Sequence, residues 1–209
     1  MSTTEYDRLI VITGGPGSGK STLIAALDAQ GMATMPEAGR AIIQDQMAIG
    51  GAALPWSDRE LFAELMLNWE IRSYREALKH RGPVIFDRGV PDVAGYLRMC
   101  KLPIPSHIQK ACQTFHYNRR VLIAPPWERI FVQDSERKQS FEEAQATYQA
   151  LIHTYSELGY ELIDLPLAPV EERVQFVCDT MLTATVTKLR VVALCYDGDR
   201  SGATKWQTL

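Results

Sequence analysis

The sequence predicts a doubly wound α/β fold, a parallel sheet with helices on both faces. Three observations carry that expectation. Short, continuous apolar runs alternate with amphipathic helical patterns along the chain. A glycine-rich turn joins the first apolar run directly to the first helical pattern. An aspartate closes a later apolar run, which puts it at the sheet edge where such folds bind ligands. With 209 residues, 46% of them apolar and 22% charged, the chain has the length and balance of one domain with a substantial core.

Each element has its own signal. Arg8–Thr13 (RLIVIT) is apolar without alternation, as a central strand covered on both faces should be. A helix follows from about Lys20 to Gln30, with Leu23, Ile24 and Leu27 on one face and Gly31 at its end. Residues 33–35 form a short strand candidate. Ser57-Asp58-Arg59-Glu60 reads as a capping box opening a long helix that ends near His80. Its expected stripe is Leu61, Leu65 and Trp69, with Phe62 and Met66 beside it, and Trp69 reads as a core residue there. Pro83–Phe86 is the next buried strand and runs directly into Asp87. Arg119–Ala124 and Tyr160–Asp164 supply two more. A second capping box, Ser140 to Glu143, starts a helix bearing Tyr148, Leu151, Ile152, Tyr155 and Leu158 and closed by Gly159. Val170, Val174, Val177 and Met181 mark the last helix. Residues 1–189 thus read as one domain. Beyond it, Val191–Tyr196 is an edge-strand candidate, and residues 190–209 otherwise read as turn and tail.

Composition limits the partners. A formal net charge of −3 gives no bulk attraction to nucleic acid or anionic membrane. No run reaches the roughly 18 apolar residues that a membrane span needs. Cys100, Cys112, Cys178 and Cys195 are far apart and form no CxxC pair, so they read as reduced thiols of a cytoplasmic protein. Residues 185–209 are open as an interaction element or a homo-oligomer contact.

The strongest chemical signal is Gly14-Gly15-Pro16-Gly17-Ser18-Gly19-Lys20-Ser21-Thr22, which satisfies G-x-x-x-x-G-K-[ST] between a strand and a helix. Glycines let successive N–H groups converge on one anion, and the helix N-terminus adds its free amides. Lys20 supplies a cation for the β- and γ-phosphates, and the Ser21 hydroxyl suits Mg2+. Asp87 is placed to hold the magnesium water shell, to accept a proton from an attacking hydroxyl, or to cap a helix begun by Pro91-Asp92. Arg88 beside it suits a phosphate or an acceptor. Glu37 and Arg40 share one face if a helix starts after the second strand, either clamping an acceptor near the same edge or forming an exposed ion pair. The segment 125–139 carries Arg129, Asp134, Arg137 and Lys138. It reads as a basic lid, with Arg137 favoured for screening phosphoryl charge, or as a solvated loop.

With GGPGSGKST, Glu37-Ala38-Gly39-Arg40, Phe86-Asp87-Arg88-Gly89 and the basic loop in hand, the chain resembles P-loop kinases of the nucleoside and nucleotide kinase group. More narrowly, it is similar to the AAA-domain family of predicted ATPases related to ribosylnicotinamide kinase domains, over about residues 8–182. The resemblance implies a five-stranded parallel sheet in the order 2-3-1-4-5, an acceptor site near Glu37 and Arg40, and a lid arginine such as Arg137. It also implies an acid near the second strand that acts on an acceptor hydroxyl, which suits Glu37. The lid here has scattered basic residues where the group carries a dense arginine run.

The resulting expectation is Mg-ATP-dependent phosphoryl transfer to a small, nucleoside-like acceptor. The competing reading is a nucleotide-dependent binding or switch module with weak turnover. A guanine-reading N/T-K-x-D motif is absent, because Thr187-Lys188 runs on into Leu189-Arg190. Asp92-Val93-Ala94-Gly95 matches D-x-x-G five residues past the strand end, away from where a γ-phosphate sensor belongs.

Overall fold

Successive residues of a strand point to opposite faces, so an apolar run with no alternation must be covered twice. β1 (Leu9–Gly14) shows this directly. Leu9 and Val11 enter one core, while Ile10 and Ile12 enter another across the sheet. The computed structural model describes residues 5–131 and 140–182. Within them follow α1 (Lys20–Ala29), β2 (Ala33–Met35), α2 (Ala38–Ile49), α3 (Arg59–Ala77), β3 (Val84–Asp87), α4 (Val90–Met99), α5 (Ser106–Thr114), β4 (Arg120–Ala124), α6 (Phe141–Glu157), β5 (Glu161–Asp164) and α7 (Val170–Val177). The chain then turns through a π-helical segment, Cys178–Leu182.

The five strands are parallel in the order β2-β3-β1-β4-β5, the order implied by the resemblance. Leu9, Val11, Val84, Phe86, Val121 and Ile123 pack on one face against α3, α4, α5 and α6. Ile10, Ile12, Ile85 and Leu122 pack on the other against α1 and α7. β1 is therefore central, and its carboxyl end delivers the glycine-rich turn between β3 and β4. The register pairs Ile12 with Asp87 and Gly14 with Ala124, so the acid after β3 stands level with the start of that turn.

Helix ends follow the capping signals with one shift. Ser140 accepts from the Glu143 N–H, and Glu143 accepts from the Ser140 N–H, closing the second capping box. At α3 the cap is Asp58, whose carboxylate accepts from the Leu61 N–H at 2.9 Å; the Ser57–Glu60 box does not form. The stripe of α3 moves with it. Leu61 is 43% exposed, and the buried face is Phe62, Ala63, Leu67, Glu70, Tyr74 and Ala77. This rotation fits Leu67, Tyr74 and Ala77 into the main core and carries a carboxylate, Glu70, inside. Trp69 is half-buried against the small cluster of Ala38, Ile42 and Phe62 between α2 and α3.

The sequence pattern did not show α5, whose buried face is only Ile108, Ala111 and Cys112. Asp92–Gly95 lies inside α4, in helical backbone, and so forms no sensor loop. Among the described residues no helix is long and apolar enough to cross a membrane. Cys100 and Cys112 are free thiols. Cys195, Arg137, Asp134, Lys138, Thr187–Arg190 and the 191–196 strand candidate lie outside the described residues.

Candidate active site

The turn after β1 needs backbone conformations that side chains disfavour. Gly14 has φ +134°, and a Cβ there would collide with the Ala124 carbonyl oxygen of β4. Gly19 is the N-cap of α1 with φ 74° and ψ 17°, and its missing Cβ leaves room for the Arg173 guanidinium. Between them, Ser18 donates to the Gly15 carbonyl at 2.8 Å. Lys20 is buried with its Nζ donating to the carbonyls of Gly14 (2.8 Å) and Gly15 (3.0 Å). Burial first, and the like charge of Arg88 second, pull the Lys20 ammonium down to about 8. Pro16 and Gly17 are half-buried at the tip, while Ser21 and Thr22 are exposed in the first turn of α1.

Beside this turn opens a cleft of about 260 Å3 lined by Ser21, Glu37, Arg40, Ala41, Gln44 and Asp87. The structure thus brings together the first residues of α1, the acid after β3 and the Glu37–Arg40 run. Glu37 is the N-cap of α2, and Arg40, one turn on, is exposed at the cleft. Glu37 reaches beyond its own helix to the residue after Asp87. Its Oε1 accepts from Arg88 Nε at 3.0 Å, across 51 residues of chain.

Asp87 does not cap the following helix. That task falls to Asp92, which accepts the Gly89 N–H at 2.9 Å. Asp87 is 6% exposed, and its Oδ1 has no hydrogen-bond partner. Burial raises its pKa, and the nearby Lys20 ammonium opposes that rise. A buried carboxylate oxygen without a donor, next to a hydroxyl lining the same cleft, is a donor set that fits a hard divalent cation with several waters.

Arg88 adopts φ +78°, an unusual backbone for a branched, long side chain. It is held there by two carboxylates, Glu37 Oε1 and Asp92 Oδ1, the latter at 3.3 Å. Burial works against its charge, but Glu37, Asp92 and Asp87 outweigh it and hold the guanidinium above its ordinary value.

Three functional candidates escaped the sequence. Asp92, 7% exposed, accepts from Thr13 Oγ1, from Tyr155 O–H at 2.6 Å, from Gly89 N–H and from Arg88. It ties β1, α4, α6 and Arg88 into one network. Glu70 is 3% exposed, and burial, then the charge of Asp92, raises its pKa well above the carboxylate range. Its i−3, i+4 and i+7 spacing to Leu67, Tyr74 and Ala77 is the available signal. The third is Arg173. Of the lid candidates, Arg129 sits exposed in a short 3-10 turn, Glu128–Ile130.

A five-stranded parallel sheet in this order, with a G-x-x-x-x-G-K-[ST] turn after its central strand, defines the P-loop NTPase fold. Residues 9–173 match the family model described as AAA domain, and the chain belongs to that family. No curated protein is recognisably similar in sequence. Among solved structures, deoxyadenosine kinase from M. mycoides with products dCMP and dCDP bound is similar at 14% identity, over 84% of this chain and 99% of that one, with a TM-score of 0.61. NadR protein in complex with NR gives 17% identity over 89% of this chain and a TM-score of 0.63, but this chain spans only 55% of it. Thymidylate kinase from Ehrlichia chaffeensis gives 13% identity, 82% and 97% coverage and a TM-score of 0.55. At these identities the likeness is one of fold.

Proposed function

We propose that the protein transfers the γ-phosphoryl group of ATP to a hydroxyl of a small acceptor. Nucleoside-like compounds are the first class to test, because deoxyadenosine kinase, thymidylate kinase and NadR with NR share the fold. The observation that carries the reading is the cleft itself. It sets Ser21, Asp87 with an unpartnered buried oxygen, and Glu37 around one space at the mouth of the cradle.

In this reading the Gly14–Thr22 backbone and Lys20 hold the phosphates, and Ser21 and Asp87 hold Mg2+. The ion, when bound, would neutralise charge on the donor phosphates. Glu37 orients the acceptor hydroxyl and takes its proton, leaving Asp87 to the metal. Arg88 fixes Glu37 and, with Arg137 of the 125–139 segment, balances negative charge as the phosphoryl group moves. Arg40 at the rim contacts the acceptor. Such catalysis rests on positioning and electrostatics. The protein works in the cytoplasm and needs no nucleic acid or membrane partner.

The test is nucleotide consumption with Mg2+ against a panel of nucleosides, nucleotides, ribosylnicotinamide and aminoglycosides, with Lys20→Ala as the blank. Acceptor-dependent ADP formation that vanishes in the variant supports a kinase and identifies its substrate class. ATP binding without any acceptor-dependent turnover sinks the kinase reading and leaves a nucleotide-gated module.

A further inference from the structure

Arg173, in the first turn of α7, is 3% exposed. Its Nη1 donates to the Gly19 carbonyl at 3.3 Å, and its guanidinium carbon stands 6.0 Å from the Trp127 ring centre. Its Nε–H is buried without an acceptor. Among the described residues no carboxylate pairs with it, and burial alone lowers its pKa, with no acidic neighbour pulling it back. The contrast with Arg88 is sharp, since Glu37 and Asp92 both meet that guanidinium. Burying a cation without a counter-charge is expensive, and a fold retains one where something supplies the missing charge.

We infer that Arg173 is a positioning residue of the nucleotide site: it fixes the Gly19–Lys20 peptide, and the donor's polyphosphate supplies the counter-charge it lacks. The inference rests on the nucleotide reading of the cradle. In a trans peptide unit the C=O and N–H point opposite ways. Drawing the Gly19 carbonyl towards Arg173 therefore turns the Lys20 N–H the other way, towards the cradle. The same carbonyl accepts from the Leu23 N–H at 3.2 Å, which aligns this peptide with the axis of α1. The free amides of that helix end then converge on an anion.

The placement explains a glycine as well. A Cβ on Gly19 would lie 2.6 Å from Arg173 Nη1 and push the guanidinium aside, and φ +74° itself favours glycine there. The described acids of the site lie elsewhere. Asp92 belongs to α4 on one sheet face, and Asp87 and Glu37 flank the cleft, whereas α7 packs with α1 on the opposite face. They offset Lys20 and Arg88 but not Arg173.

The experiment compares the full chain with Arg173→Met, which keeps volume, and Arg173→Lys, which keeps charge. Calorimetric titration with Mg-AMP-PNP and thermal melts of the free proteins are the readouts. Loss of a charge-assisted contact should weaken binding by Arg173→Met about tenfold or more. Arg173→Lys should stay within about threefold of the parent, short of full rescue because an ammonium lacks the planar fork. The free Arg173→Met protein should melt no lower than the parent, because an uncompensated buried charge has gone. Binding by Arg173→Met within about twofold of the parent would overturn the inference, as would a fall of more than about 4 °C in its free Tm. A parent chain that binds no nucleotide would sink the cradle reading itself, whereas nucleotide binding that survives Arg173→Met sinks only the role of Arg173.

Discussion

Replacing Asp92 removes one side of a buried ion pair and three hydrogen-bonded neighbours at once. Its carboxylate accepts from Thr13, Gly89 and Tyr155 and meets Arg88, all within a region less than one-tenth exposed at Asp92 itself. A hydrogen bond to a charged group contributes about 1.5–3 kcal/mol. Summing four such terms overshoots, because Arg88 keeps Glu37 and the freed hydroxyls relax. The better guide is the measured cost of breaking one side of a buried pair, so Asp92→Ala should destabilise the fold by about 3–5 kcal/mol. Asp92→Asn keeps the volume and one acceptor oxygen, and should lose about half as much. For a chain of this length each kcal/mol moves Tm by roughly 2–4 °C, so the alanine variant should melt roughly 6–20 °C lower. Urea unfolding at pH 7 gives the measurement, with the slope m watched for a change in the unfolding reaction. A loss below about 1 kcal/mol at constant m would refute the idea that this carboxylate joins β1, α4, α6 and Arg88.

Other consequences follow from the same geometry. Glu70 has a folded pKa raised above its unfolded value, so its favourable contribution is complete below the unfolded pKa near 4.5 and is lost as pH rises through the folded one. Glu70→Gln should therefore gain stability relative to the parent at pH 8 compared with pH 5; equal differences at the two pH values would contradict the assignment. Lys20 titrates at about 8 in the free protein, and a bound polyphosphate stabilises its charged form. Nucleotide affinity should then fall as pH rises past about 8, by up to about tenfold per unit, with proton uptake on binding visible in calorimetric titrations in buffers of different ionisation enthalpy. Asp87→Asn should lower nucleotide affinity in Mg2+ to the level the parent shows with EDTA, if that carboxylate holds the ion. A metal-dependent affinity that survives the change assigns the ion to other ligands.

The fold was legible because each strand signal and each cap is local. RLIVIT, PVIF and RRVLIA are apolar on both faces, and a strand so composed has no place except between two helical layers. The elements misjudged were those that tertiary packing decides. The stripe on α3 was placed on Leu61, Leu65 and Trp69, the largest apolar side chains at helical spacing. The helix instead turns to bury Ala63, Leu67 and Tyr74, and Glu70 goes in with them. Apolar count alone does not choose between two neighbouring faces when one of them also carries a carboxylate that meets a buried charge network. α5 was invisible for the opposite reason, since a face of Ile108, Ala111 and Cys112 gives too weak a period to stand out.

The site shows the same division at closer range. The turn needs glycine where its φ is positive, and a lysine and a hydroxyl follow at fixed offsets, so one local motif reveals all of them. The charges around the cleft have no such constraint on spacing. Arg88 meets Glu37 across 51 residues, Asp92 reaches Thr13 across 79, and Arg173 finds Gly19 across 154. Each pairing exists only because the sheet order sets β2 beside β3 and β3 beside β1, and lays α7 on α1. Sequence reading could name Glu37, Asp87 and Arg88 from their positions at strand ends. It could not tell that Asp92 does the capping, which frees Asp87 to present an unpartnered oxygen. That exchange of roles between two aspartates five residues apart is what gives the cleft a carboxylate fit for a metal, and it depends on Tyr155, Thr13 and Gly89 all converging on Asp92.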